Sequence, residues 1–208
     1  MKHARSVVVC VAMALGTVGP WAAPEEAAAS VSIAIPFETL VHASSAVVVA
    51  TTMEERAVWE GGRIYTYSRV HVDSAIAGEL AQESEAWVRT MGGIVGKVGQ
   101  IVDGEPVFTI GRPSLVFLHR ASGVPSGTFL VTARAQGQFG IFADEQGRLR
   151  VRRSSGVGVV VPPPPASSAA TASVAPTPAV LAGDVIHGRV VDDVARDIAT
   201  AWSRAHAP

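Results

Sequence analysis

The 208-residue chain carries 17 basic and 18 acidic residues and is 48% hydrophobic. So even a balance makes no global field to gather nucleic acid or an anionic membrane surface. Its one cysteine, Cys10, excludes an intrachain disulfide and a Cys-based zinc site.

Residues 1–23 read as an export signal. Lys2 and Arg5 precede an apolar stretch, residues 7–18, and the small pair Ala22-Ala23 follows Pro20 and Trp21. A stretch this short does not span a hydrocarbon core of about 30 Å, so no stable membrane anchor is expected after cleavage. Two cleavage points are open, after Ala23 or after Ala29, and the destination is the periplasm or the medium. Cys10 follows Val9 inside the apolar run rather than a small residue at its end, which disfavours lipidation. Removing residues 1–23 takes away Lys2, Arg5 and the cysteine, and leaves 15 basic against 18 acidic residues, a charge of −3.

Residues 24–35, rich in Ala and Glu, read as a flexible leader. Residues 36–153 hold the regular patterning and form the expected β domain. A short helix over 36–45 places Phe37, Leu40 and Val41 on one side. An apolar, β-branched strand over 46–53 continues in broken form toward Trp59, and Gly61-Gly62 supplies a tight hairpin. Along 63–73, Ile64, Thr66, Ser68, Val70 and Val72 alternate with Tyr65, Tyr67, Arg69, His71 and Asp73, the period of a half-buried strand. Further strands are expected at 85–91, 114–120, 128–133, 138–143 and 149–153. Six or seven short strands separated by Gly-bearing turns suggest a mainly β fold, a small closed or partly open OB-like barrel, with a β-sandwich as the alternative.

Residues 154–183 hold no charged side chain and six of the 13 prolines, the composition of an extended linker. Residues 184–206 suit an amphipathic helix. Val190, Val191, Val194, Ile198 and Trp202 recur at three- and four-residue steps, and the β domain is the expected place for that stripe to bury itself.

Few residues nominate chemistry. The stretch Gly92-Gly93-Ile94-Val95-Gly96-Lys97-Val98-Gly99 lacks the Ser or Thr after its lysine that holds magnesium, and no helix follows, so it reads as a loop or bulged hairpin. His71 and Asp73 share a strand face that would suit an oriented imidazole, but no second ligand or base accompanies them. Tyr65, Tyr67 and Arg69 on the same face could stack a sugar, a base or a peptide. These five residues form the candidate ligand-binding surface. Arg148, Arg150 and Arg152 alternate on one strand and read either as an anion site or as a charged edge. No catalytic set, cofactor motif or metal site is assembled.

The segments at residues 45–51 (SAVVVAT), 62–67 (GRIYTY), 88–93 (VRTMGG), 99–102 (GQIV) and 136–139 (QGQF) together resemble a family of exported bacterial proteins without assigned function. The resemblance covers about residues 37–143 and implies a barrel domain, a linker and a short terminal helix. A more distant likeness is to the OB barrels of netrin-like modules and tissue inhibitors of metalloproteinases, on the strand at 46–52, the hairpin after it and the turn at 75–78. Those inhibitors chelate the protease metal through an amino-terminal cysteine, which the mature chain lacks, so their mechanism is excluded. The expectation is an exported, non-catalytic module that binds an exported protein or an extracellular ligand. An envelope-polymer hydrolase using the 65–73 face, or an inhibitor-like module working without cysteine, are the alternatives.

Overall fold

The protein is described here by a computed structural model covering residues 31–163 and 180–207. The expected export signal, most of the expected leader and the centre of the expected linker lie outside the described residues.

The longest feature is the hairpin of β2 (Ala46–Glu60) and β3 (Arg63–Gly78). It turns at Gly61-Gly62, whose φ values of 55° and 79° are the left-handed pair that suits a two-residue hairpin. Three register shifts, at 47/48, 49/50 and 52/54, bend β2 along its length and account for the broken pattern of its sequence. β4 (Glu85–Met91) pairs antiparallel with β3, and β7 (Pro113–His119) pairs antiparallel with the first half of β2. β8 (Thr128–Val131) runs parallel to β4 and also meets β7 through Leu118↔Val131 and His119↔Leu130. The run β7-β2-β3-β4-β8 therefore curls back on itself as a partial ring. β9 (Gln138–Ala143) and β10 (Leu149–Arg153) extend the sheet beyond β7, and β5 (Gly93–Val95) and β6 (Val98–Gln100) form a separate hairpin. The fold is mainly β with a C-terminal helix, as expected.

Residues 46–50 are buried on both faces of β2 because the strand separates two cores. Ala46, Val48 and Ala50 point into the ring against Val70, Val72, Val88, Val116, Leu118 and Phe129. Val47 and Val49 point outward, with Leu115, Phe117 and Phe139, against α1 (Phe37–His42), α2 (Ala182–Ile186) and α3 (Val191–Ala205). Phe37, Leu40 and Val41 of α1 are buried there, on the side that their spacing indicates. So are Val191, Val194, Ile198 and Ala201 of α3, while Trp202 packs at the margin. The C-terminal stripe thus rests on the β domain of its own chain.

Several elements differ from expectation. One helix over 184–206 is in fact two, since Gly188 takes a φ of 79° and the chain extends to cover the edge of β10. The Val151 amide donates to the Arg189 carbonyl and the Gly188 amide to the Val151 carbonyl, which satisfies groups that an edge strand leaves open. The strand expected over 128–133 stops at Val131, because Ala133 and Arg134 both take a φ of 56°. Two segments whose composition suggests leader and linker are strands. β1 (Val31–Ile33) pairs in parallel with β11 (Val159–Val161), a pairing between distant, individually featureless segments.

Loops are held by glutamine side chains that act as surrogate strands. Gln138 is buried; its Oε1 accepts from the Val107 amide at 2.9 Å and its Nε2 donates to the Val107 carbonyl at 2.7 Å. Gln136 does the same for Ile35 and Ile33, and Gln100 Oε1 accepts from the Ile64 amide at 2.9 Å. Each satisfies backbone groups that no strand reaches.

If α3 is an integral wall of the outer core, Ile198→Ala destabilises the chain by about 2–5 kcal/mol. Thr200→Ala, on the exposed side of the same helix, stays within about 0.5 kcal/mol. Urea unfolding of the two variants beside the parent checks both values.

Candidate functional site

β3 is pinned between β2 and β4, and its alternation is the one expected. Ile64, Ser68, Val70 and Val72 are buried, while Tyr65, Tyr67, Arg69, His71 and Asp73 lie half-buried on the opposite face. The β4 register adds Met91 beside Tyr65, Arg89 beside Tyr67, Trp87 beside Arg69 and Glu85 beside His71.

Arg89 organises this surface. Its guanidinium carbon lies 3.5 Å from the centroid of the Tyr65 ring and 5.9 Å from that of Tyr67, within cation–π range of both. Its Nη2 donates to Glu60 Oε2 at 2.6 Å, and the Tyr67 hydroxyl donates to Glu60 Oε1 at 2.7 Å. The Tyr67 hydroxyl bond, then Arg89, holds the Glu60 carboxyl below its usual range. Burial and the bond to Glu60 push the Tyr67 phenol up. Arg89 Nε is buried with no partner, a donor left unspent.

The remaining expected residues are tied up individually. Arg69 bridges three strands, with Nε donating to Glu54 Oε2 and Nη1 to Glu85 Oε1, both at 3.0 Å. His71 Nε2 stands 3.4 Å from Glu83 Oε2, and Asp73 Oδ2 accepts from Thr51 Oγ1 at 2.7 Å. The imidazole and the carboxylate therefore serve different partners, and neither lines a cleft described here. Among the described residues no three His, Cys, Asp or Glu side chains converge on a metal position.

Two clefts flank the Arg89 stack. One, of about 330 Å³, lies between Glu60, Tyr67 and Trp87 and the loop at Pro125-Ser126. The other, of about 300 Å³, runs from Tyr65 and Arg89 to Glu105, His119 and Arg134. Burial lowers the affinity of His119 for a proton. Arg134, in its left-handed conformation, donates from Nε to Glu105 Oε1 at 2.6 Å and from Nη2 to the Asp103 carbonyl at 2.8 Å. The structure thus joins Tyr65, Tyr67 and Arg69 to Trp87 and Arg89, which sequence reasoning did not single out. The alternation of 85–91 already places Trp87 and Arg89 on one face; only the register shows that this face adjoins Tyr65 and Tyr67.

The other sequence features have structural uses. The glycine-rich stretch forms the β5–β6 hairpin, and no helix follows it. Arg148 and Arg150 both bind Asp144 Oδ2, at 3.0 and 2.6 Å, while Arg152 lies 5.8 Å from the Phe142 ring. Among the described residues no helix is long and apolar enough to cross a membrane. Comparison of the chain with protein-family models, curated proteins and solved structures gives no match.

The Arg150 bond, aided by the amides of Arg148 and Gln146 and by the Arg148 side chain, brings the Asp144 pKa down to about 2 from 3.8. A depressed carboxyl binds its proton later in the folded chain than in the unfolded one. Its stabilisation is therefore full above about pH 4 and is lost as pH falls through about 2. Asp144→Asn flattens the fall in stability across that window, as urea midpoints at pH 5, 3 and 2 will show.

Proposed function

We propose that the chain is an exported, non-catalytic binding module whose partial ring is a small OB-like barrel and whose β2–β3–β4 face receives an extracellular ligand or exported protein. The strand order β2-β3-β4-β8-β7, with β4 and β8 parallel and β7 returning to β2, supports the barrel over the sandwich. Export rests on residues 1–23.

The observation that carries the binding reading is Arg89. A cation stacked on one tyrosine, close to a second, gripped by Glu60 and keeping a buried Nε unpaired, sits between two clefts on an accessible sheet face. Trp87, Tyr65 and Tyr67 offer flat apolar area at low entropic cost, which favours an extended ligand recognised by stacking. The hydrolase alternative has no comparable support, since His71 and Asp73 lie apart from the clefts and from each other's partners. Nothing in the geometry favours the inhibitor-like alternative.

The test has two arms. Fractionation should recover a shortened chain outside the cytosol, and uncut chain retained inside defeats the export reading. Calorimetric titration of the purified chain with envelope oligosaccharides and extended peptides should find a ligand that Trp87→Ala weakens by about 2 kcal/mol, roughly thirtyfold in Kd. A ligand bound equally by the parent, Trp87→Ala and Arg89→Ala overturns the assignment to this face.

A further inference from the structure

The hairpin of β2 and β3 reaches beyond the ring, and its inner face there is not filled by the core. It forms the floor of a cleft of about 460 Å³ closed on the far side by residues 92–94, 99–102 and 105–108. The floor is polar. Ser68 is fully buried, yet its hydroxyl has no partner. Glu55 is its cross-strand neighbour and lines the same cleft. Glu55 is exposed along much of its side chain, yet partial burial of its carboxyl raises its affinity for a proton, and the nearby Ser68 hydroxyl, outside hydrogen-bond geometry, opposes this. The rim is aliphatic and open to solvent: Ile94, Ile101 and Val107 are 73%, 95% and 54% exposed.

The charges select the ligand. Two acids line the cleft, and no Lys, Arg or His does. Glu105 is spent, with Oε1 on Arg134 and Oε2 on the Met91 amide at 3.0 Å. Thr66 gives its hydroxyl proton to the Gly92 carbonyl at 2.8 Å and keeps its lone pairs as a further acceptor. Glu55 makes no ion pair among the described residues, so its carboxylate is the uncompensated charge of the cleft, and the Ser68 hydroxyl is the buried acceptor opposite it. A planar guanidinium brings five donors and would leave most of them unmatched; a compact ammonium brings three and can turn the third to water.

We propose that this cleft binds an aliphatic primary ammonium group, with its charge on the Glu55 carboxylate, one N–H on Ser68 Oγ and its methylene stem along Ile94, Ile101 and Val107. The site lies on the opposite face of β3 from Tyr65 and Tyr67, and Thr90, Met91, Glu105 and Pro106 separate it from the cleft beside Arg89, lining both. A lysine side chain of a protein partner and a free alkylamine share this chemistry.

The probes are n-hexylammonium, its neutral counterpart hexanol, and Nα-acetyl-lysine amide, each added to the full chain while backbone amide resonances are followed. Hexylammonium should shift the amides of Ser68 and Thr90 saturably, and Glu55→Gln should raise its Kd at least tenfold with the rest of the spectrum retained. Ser68→Ala should weaken it about threefold. Hexanol should bind the parent no better than it binds Glu55→Gln. In the unmodified chain, hexylammonium should also lower the titration midpoint of Glu55, a readout that needs no variant. Equal shifts with hexanol, an unchanged Kd in Glu55→Gln, an unmoved Glu55 midpoint or no saturable shift overturns the proposal. Acetyl-lysine amide binding as tightly as hexylammonium assigns the site to a protein lysine; hexylammonium binding alone assigns it to a free amine.

Discussion

Two hydrophobic cores share one wall, and the rest of the architecture follows from it. β2 and β7 lie side by side with no solvent face over residues 46–50 and 114–118. Even-numbered residues there fill the ring, and odd-numbered residues, Val47, Val49, Leu115 and Phe117, receive the helices. Without α1, α2 and α3 this second apolar surface would face water. The helices are therefore part of the same folding unit as the sheet, though α3 follows a stretch whose composition reads as a linker. Both cores bear on the same stretch of β2 backbone.

Where the hairpin leaves this wall, the demands on its side chains relax. Its outer face becomes a ladder of tyrosines and ion pairs, and its inner face a polar floor beneath the β5–β6 hairpin. The cover over that floor is held by side chains more than by strand pairing: Gln138 clasps Val107, Gln100 clasps Ile64, and Glu105 holds the Met91 amide. Gly93, with φ at 129°, lies so close to Thr66 that a Cβ there would collide with its hydroxyl. Gln100 and Gln138 thus have visible structural tasks in holding that cover.

The proposed binding face combines aromatic area with side chains that already hold neighbours of their own. Arg69 pairs with acids on both neighbouring strands, His71 meets Glu83 in the β3–β4 turn, and Asp73 accepts from Thr51 on β2. Exposed ion pairs of this kind orient side chains while adding little stability. Arg89 differs because it is only 15% exposed, stacked and incompletely satisfied. That combination separates it from the ladder around it.

Period-two alternation in 63–73 and 85–91, the Gly61-Gly62 turn and the three- and four-residue spacing of α3 are local properties, so the sequence alone determined these elements and their buried sides. It also placed Tyr65, Tyr67, Arg69, His71 and Asp73 on a common face. The pairing of β1 with β11, the parallel approach of β8 to β4 and the break at Gly188 depend on partners tens to more than a hundred residues away, and only the tertiary structure decided them. The same holds for Trp87 and Arg89 beside the tyrosines, and for Glu55 and Ser68 beneath the hairpin. Period shows which way a side chain points; register shows what it meets, and register is set by packing across the whole sheet.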